Sequence, residues 1–263
     1  MGTAELGERI AAVRSRIANA CQRCGRNPST VTLVAVTKGV SAATIQEAVA
    51  CGLTNLGENR VQEARRKQQE IAMVGEGSRV KGGIHPTTPF TLHPVKWHMI
   101  GHLQRNKAKD AVELFEVVHS LDSAALAEEL ERHAARQGEG LRVKGEGKSA
   151  NPLEVFIQVN ISGEQTKFGC SPDDAMTLAK RITGLPHLRL AGLMTIPPFV
   201  DNPELSRPLF RSLRELRDSL VSQLHPPPST LHLSMGMSQD FEVAIEEGAD
   251  VVRIGTAIFG TSS

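Results

Sequence analysis

Short apolar runs recur along this chain, with helical patterns between them. The first run, Val31-Thr32-Leu33-Val34-Ala35-Val36, is continuous and rich in β-branched residues, and it follows a polar stretch of helical character from Ala4 to Cys24. Further runs at Leu53–Leu56, Val95–Ile100, Glu116–His119, Glu154–Ile161, Leu188–Leu193, Thr230–Leu233 and Val251–Ile254 bring the candidate strands to eight. The spacing between them predicts helices over Val61–Ile71, Lys107–Leu114, Ala124–Gln137, Pro172–Thr183, Glu204–Leu224 and Phe241–Glu247. Ser41 reads as the N-cap of one more, running through Ile45, Ala48 and Val49 and closed by Gly52. Near-continuous apolar runs, rather than alternating ones, point to strands buried on both faces of a parallel sheet. Eight β-then-α units predict an α/β fold: a single (β/α)8 TIM-type barrel with an extra N-terminal helix, spanning residues 1–263 as one domain. A doubly wound open sheet is the rival. No Gly-x-Gly-x-x-Gly follows the first strand, which counts against its dinucleotide-binding form.

Two stretches break the rhythm. Residues 74–94 hold four Gly and three Pro, and residues 138–152 contain Gly-Glu-Gly twice; both read as exposed loops. The alternation resumes unchanged after each, so neither marks a domain boundary. Composition narrows the function classes. Thirty Lys and Arg stand against 29 Asp and Glu, so nothing draws the whole molecule to nucleic acid or an anionic membrane. No apolar run reaches the ~20 residues of a membrane span. The first nine residues are polar, with two Glu before Arg9, unlike a signal peptide. Four cysteines form no disulfide framework, and a cytoplasmic location is expected.

Lys38 follows a run of seven apolar or β-branched residues and should sit where the first strand leaves the barrel at its C-terminal face, the face that hosts active sites in this fold. A lysine snorkelling from a strand end is the plain reading. A desolvated amine there would have a lowered pKa and could attack a carbonyl to form a Schiff base. The last two strand–helix junctions supply a complement. Ser234-Met235-Gly236-Met237-Ser238 follows the seventh strand, and the eighth ends in Arg253-Ile254-Gly255-Thr256. Small residues with free N–H groups and hydroxyls suit an anion, and barrels commonly bind phosphate at these two junctions. A reactive lysine beside a phosphate cradle defines a phosphate-bearing aldehyde or ketone. Pyridoxal 5′-phosphate fits, and so does the sugar phosphate of a Schiff-base aldolase.

Seven ordered motifs go further: Val34-Ala35-Val36-Thr37-Lys38; Gly57-Glu58-Asn59 with Val61-Gln62-Glu63; Trp97-His98-Met99-Ile100-Gly101-His102-Leu103-Gln104; Val159-Asn160-Ile161 with Lys167-Phe168-Gly169; Gly192-Leu193-Met194-Thr195-Ile196-Pro197; Leu233-Ser234-Met235-Gly236-Met237-Ser238 with Asp240; and Arg253-Ile254-Gly255-Thr256-Ala257-Ile258-Phe259-Gly260. In them the chain resembles the alanine-racemase-like pyridoxal-phosphate proteins, specifically the single-domain pyridoxal phosphate homeostasis family. The resemblance implies that Lys38 holds the cofactor as an internal aldimine. It implies that Ser238, Gly255 and Thr256 bind the phosphate, that Asn59 lies beside the pyridine ring and that Arg253 faces the ring nitrogen. Met235 is counted with these cofactor-binding residues.

Three features favour holding the cofactor over turning substrate over. Racemisation needs a base on each face of the substrate carbon, usually the Schiff-base lysine and a tyrosine, and this sequence has no tyrosine. The chain also ends at Ser263, directly after the eighth unit, which reads as lacking the racemases' second domain and so as a monomer. Arg253 can only donate hydrogen bonds. It therefore favours an unprotonated ring nitrogen and a weak electron sink, although racemases share such an arginine. The expectation is a carrier or buffer of pyridoxal phosphate, with pyridoxal-phosphate-dependent apo-enzymes as candidate recipients and no catalytic residues. The alternatives are a low-activity amino-acid racemase using His98, His102 or water, and a Schiff-base aldolase using Glu58 or Lys167.

The remaining motifs read blandly. Cys21-Gln22-Arg23-Cys24 lies near the end of the first helical stretch, not at a helix start after a strand, so it is read as incidental. His98 and His102 straddle Gly101 at a strand end and are read as lining the pocket or barrel end, with no metal site. Arg65, Arg66 and Lys67 read as a solvated helix face, and Trp97 as core or rim packing.

Overall fold

The computed structural model describes residues 3–77, 95–143, 151–224 and 230–260. Eight parallel strands close into a barrel in sequence order: β1 (Thr32–Val36), β2 (Asn55–Glu58), β3 (Lys96–Met99), β4 (Val117–Leu121), β5 (Leu153–Gln158), β6 (Leu188–Met194), β7 (His232–Ser234) and β8 (Val251–Ile254). Helix α1 (Thr3–Arg23) precedes the barrel. Each strand is then followed by a helix: α2 (Ala42–Ala50), α3 (Val61–Gly77), α4 (Ala108–Leu114), α5 (Ala124–Val143), α6 (Pro172–Thr183), α7 (Arg207–Gln223), α8 (Phe241–Glu246) and α9 (Thr256–Phe259). The expected (β/α)8 barrel with its additional helix is what forms.

Local chemistry accounts for the helix starts. Ser41 Oγ accepts from Thr44 N, and Ser171 Oγ accepts from Asp174 N with Pro172 in the first turn. In α1, Leu6, Ile10, Val13, Ile17 and Ala20 recur at spacings of three and four and are all buried. That face packs on α8 and α9, and Arg16–Glu242 and Arg23–Glu246 ion pairs flank it. Burying each large aliphatic side chain contributes roughly 1.5–3 kcal/mol, so α1 is an integral part of the barrel wall. The main core lies between strands and helices. A second apolar cluster, Val34, Val117, Phe156, Ala191, Met194 and Val251, fills the barrel interior.

Several boundaries differ from expectation; among the strands, β5 ends at Gln158 rather than Ile161 and β7 begins at His232 rather than Thr230. Helix α3 runs to Gly77 and α5 to Val143, so 74–77 and 138–143, read from the sequence as loop, are helical. A glycine costs only about 1 kcal/mol in a helix already nucleated by a packed face. The rest of the two expected loops, 78–94 and 144–150, lies outside the described residues. Strand β2 sits two residues later than the apolar run Leu53–Leu56. Its inward position Gly57 has no side chain, and a Cβ there would stand 2.9 Å from Val34 Cγ1 and Ile100 Cδ1.

Gly192 marks the closest approach of two strands. A Cβ on it would lie 1.9 Å from the carbonyl oxygen of His232 on β7, a backbone atom that cannot swing aside. Gly192→Ala is therefore expected to destabilise the barrel by about 3 kcal/mol, measured as a lower denaturant midpoint. An unchanged midpoint would mean that β6 and β7 are not held this tightly.

Candidate functional site

The C-terminal rim of the barrel brings the ends of β7, β8, β1 and β2 side by side. Ala35 pairs with Ile254 on one side and Leu56 on the other, and Val36 pairs with Gly57. Lys38, two residues past β1, thus stands in the barrel order between Asn59, just past β2, and Gly255-Thr256, just past β8. Gly255 touches the wall of β1, its would-be Cβ 3.3 Å from Val36 Cβ. Lys38 itself is exposed, in the turn closed by Val40 N donating to Thr37 O, with Gly39 at φ +71°. Desolvation of this amine, expected from the sequence, is not what the fold provides.

What the fold provides is a rigid mount beneath it. Lys67, on α3, is fully buried, contrary to its reading as part of a solvated basic face. Its ammonium donates to Thr37 O (2.5 Å), Glu58 Oε1 (2.6 Å) and Glu63 Oε1 (2.7 Å), which uses all three protons. Thr37 Oγ1 also donates to Glu58 Oε1 (2.5 Å), and Gly39 N donates to Glu63 Oε1 (2.8 Å). Both residues flanking Lys38 are therefore tied to this cluster. Burial pushes the Glu58 carboxyl above its ordinary value despite Lys67 and Thr37. Burial acts in the same sense on Glu63, but there the hydrogen bonds from Lys67 and Gly39 prevail and hold it low. Glu58 Oε2 is buried without a partner. Arg65 and Arg66 do lie outside, paired with Asp110 and Glu113, and with Glu70.

On the other side of Lys38, Gly236 turns the chain out of β7 at φ +91°. A Cβ there would meet Ala244 Cβ at 2.6 Å and Phe241 Cα at 2.9 Å. Asp240 Oδ1 accepts from Met237 N (2.7 Å) and closes this loop. The loop delivers Ser238, whose Oγ accepts from the N–H groups of Gly255 and Ala257, both at 3.3 Å. Long bonds from two N–H groups converging on one hydroxyl are what an anion's oxygen can replace, with the hydroxyl turning to donate. A phosphate fits these groups. Thr256 is exposed beside them, while Met235 is fully buried in the packing behind.

Arg253 is 3% exposed and points into the barrel. One terminal nitrogen donates to Ser234 Oγ (2.6 Å) and the other to Thr195 O (2.9 Å). Among the described residues no carboxylate hydrogen-bonds to it. Burial pulls its pKa down to about 10, against the attraction of nearby Asp240, so it stays cationic at neutral pH. From Ser234 a polar chain continues through the interior: His119 Nδ1 at 2.8 Å, His119 Nε2 to His98 Nδ1 at 2.9 Å, and His98 Nε2 to Asn55 Oδ1 at 3.0 Å. His119 also stacks on Phe156 at 4.5 Å.

Both imidazoles are neutral. Burial brings His98 down to about 3 and His119 well below the ordinary histidine value. Because the folded-state values are depressed, their contribution to stability is complete above the unfolded value of 6.5. It is lost as pH falls below that, since the unfolded chain takes up protons that the folded one refuses. Below pH 6.5 these two residues are expected to cost about 1.4 kcal/mol per pH unit each. Urea titrations at a series of pH values measure the slope, and His119→Gln should halve it.

The residues that sequence reasoning singled out thus divide. Lys38, Asn59, Ser238, Gly255 and Thr256 share the C-terminal rim, with Arg253 beneath it in the barrel interior. His98 does not share the rim: it lines the opposite mouth, with Nδ1 engaged by His119 in the interior and Nε2 by Asn55. His102 does, stacked on Phe168 at 3.9 Å beside a cavity of about 490 Å³ that Asn59, Arg60 and Lys107 also line. Lys167 lies on the loop after β5, and Trp97 is buried. Cys21, Cys24, Cys51 and Cys170 carry free thiols. No described helix is long and apolar enough to cross a membrane. Lys67, Glu63, His119, Asn55, Ser234 and Thr195 were not foreseen as site residues.

Residues 9–263 match the alanine racemase N-terminal domain family. A pyridoxal phosphate homeostasis protein of Pseudomonas aeruginosa is 42% identical over 255 residues, covering 97% of this chain and 95% of the relative. Among solved structures, PipY of Synechococcus elongatus, determined with pyridoxal phosphate bound, is 34% identical with a TM-score of 0.74, covering 97% of this chain and all of that one. An alanine racemase of Clostridium difficile shares the fold at 13% identity with a TM-score of 0.67; the match covers 98% of this chain and 57% of the racemase.

Proposed function

This chain belongs to the pyridoxal phosphate homeostasis family of alanine-racemase-like barrels, and on that premise we propose that it binds pyridoxal 5′-phosphate through Lys38 and holds it in reserve rather than turning substrate over. The observation that carries the reading is the convergence of three groups on one rim: the exposed Lys38 amine, the N–H pair of Gly255 and Ala257 under Ser238, and the donor-only Arg253 below. Bound there, the cofactor supplies an aldehyde for an amine and a ring able to accept electrons. Ser238, Gly255 and Thr256 would take its phosphate, Asn59 would flank the ring, and Arg253 would donate to the ring nitrogen, with Met235 backing the loop.

Several features support holding over catalysis. The chain has no tyrosine to serve as a second base. His98 is committed to His119 and Asn55, which leaves His102, of the two histidines considered as a replacement base, at the rim. Glu58, the carboxylate an aldolase would need, is tied to Lys67 and Thr37 behind the turn. Free thiols suit a cytoplasmic protein. Apo-enzymes that need the cofactor are the partners this role calls for, and the loaded protein is expected to sediment as a monomer.

The test is an absorbance spectrum after incubation with pyridoxal phosphate, followed by borohydride reduction and mass-spectrometric mapping. A visible band that vanishes on reduction, with the pyridoxyl adduct on Lys38, is expected. An adduct on Lys167, or no band with excess cofactor, overturns the site. Sustained interconversion of D- and L-amino acids by the loaded protein overturns the holding role.

A further inference from the structure

The polar chain inside the barrel has a direction set by its first member, and we infer that Ser234, His119, His98 and Asn55 form a one-way relay that positions Arg253 and fixes it as a donor toward the rim. The direction follows from hydrogen-bond inventory. A guanidinium carries N–H groups only, so at 2.6 Å Arg253 donates and Ser234 Oγ accepts. The hydroxyl has one proton, and its other neighbour is His119 Nδ1 at 2.8 Å, which must therefore accept it. A neutral His119 with a bare Nδ1 carries its proton on Nε2 and donates to His98 Nδ1 at 2.9 Å. His98 in turn is protonated on Nε2 and donates to Asn55 Oδ1 at 3.0 Å. Every link is satisfied in this order. An imidazolium at His119 would bring a second donor to Ser234, strand the hydroxyl proton and place two cations on one oxygen. The depressed histidine values agree with the neutral forms.

The relay spans the barrel. Asn55 and His98 line a cavity of about 250 Å³ with Lys96, Glu154, Arg189 and His232 at the N-terminal mouth, while Arg253 lies beneath the opposite rim. Its members are positioning residues: none reaches the rim. Their effect is to pin one arm of Arg253 while Thr195 O pins the other. Whatever ring nitrogen meets Arg253 must then accept a hydrogen bond, which keeps it unprotonated and its ring a weak electron sink. That consequence rests on the proposed cofactor reading. The relay itself is a property of the free protein.

Nitrogen-15 labelling of the histidines in the full chain, with two-bond proton–nitrogen correlation, reads the tautomers directly, and His98 and His119 variants assign the signals. Both residues are expected as neutral Nε2–H forms from about pH 6 to 8. An Nδ1–H tautomer or an imidazolium at either overturns the relay, whether or not cofactor binds. Loaded protein provides the second readout. His119→Gln offers one acceptor and one donor and keeps the direction; its cofactor band should match the unmodified protein, with a dissociation constant within about threefold. His119→Phe keeps a ring to stack on Phe156 but breaks the chain. Its band should shift and its dissociation constant rise about tenfold, with the adduct still on Lys38. Identical behaviour of the two variants would show that only shape matters and would sink the proposal. Should His119→Phe fail to fold, Ser234→Ala removes the hydroxyl that sets the direction instead; His119 and His98 should then lose their single-tautomer signatures, and unchanged tautomers would overturn the relay.

Discussion

Replacing Lys67 by methionine is expected to lower the stability of the folded chain by about 3–5 kcal/mol, the range found when one partner of a buried ion pair is removed. Methionine fills nearly the same space, so the loss is electrostatic. Glu58 Oε1 would keep only the Thr37 hydroxyl, Oε2 has no partner already, and the Thr37 carbonyl would keep only the Val40 N–H. Glu58 could escape part of the cost by taking up a proton, and its pKa is already raised by burial. The deficit should therefore be smaller at about pH 5 than at about pH 8, because the charged Glu58 is what the variant cannot accommodate. The double variant Lys67→Met, Glu58→Leu should recover part of the loss. Chemical denaturation of the four proteins gives the cycle. A single-variant loss below about 1 kcal/mol would mean that water reaches Lys67 and that the cluster is an ordinary surface pair. The same cluster holds the Thr37 and Gly39 backbone around Lys38, so the variant should also bind cofactor more weakly.

Lys67 shows where the sequence was readable and where it misled. Val61, Ala64 and Ile71 are buried on one face of α3, and position 67 falls on that face by the same three-and-four spacing. Periodicity alone would have turned it inward, but its neighbours Arg65 and Arg66 made it look like one charge in a solvated run. The eight strands were legible because barrel strands are buried on both faces and read as continuous apolar runs. Strand β2 slipped by two residues because its inward position is a glycine. Lys38 was legible as a strand-end lysine, yet its exposure was not, because that depends on a turn held from α3. The interior relay left no local signal. Ser234 and His119 are 115 residues apart, His98 and His119 are 21 apart, and only closure of the barrel makes them neighbours. A buried histidine inside an apolar strand is the one clue such a chain leaves.

Replacing Lys38 by alanine should leave stability within about 0.5 kcal/mol, because the side chain is exposed and holds up nothing. Its effect on the cofactor should be complete. No borohydride-stable adduct and no visible band are expected, and phosphate contacts alone should hold the cofactor roughly a hundredfold more weakly, about 2.7 kcal/mol. Lys38→Arg separates charge from nucleophilicity: the cation remains at the rim, but a guanidinium stays protonated and does not condense with an aldehyde. It should therefore also lose the band, while phosphate binding suffers less than in Lys38→Ala. The neighbouring lysine cannot substitute. Lys67 lies behind the turn with all three of its protons committed to Thr37, Glu58 and Glu63, so its amine has no free lone pair to offer. The two lysines thus divide the labour, one buried to fix the turn and one exposed to react. A band or adduct that survives in Lys38→Ala would show that the division is wrong and that another amine at the rim, with Lys167 the first to map, carries the chemistry.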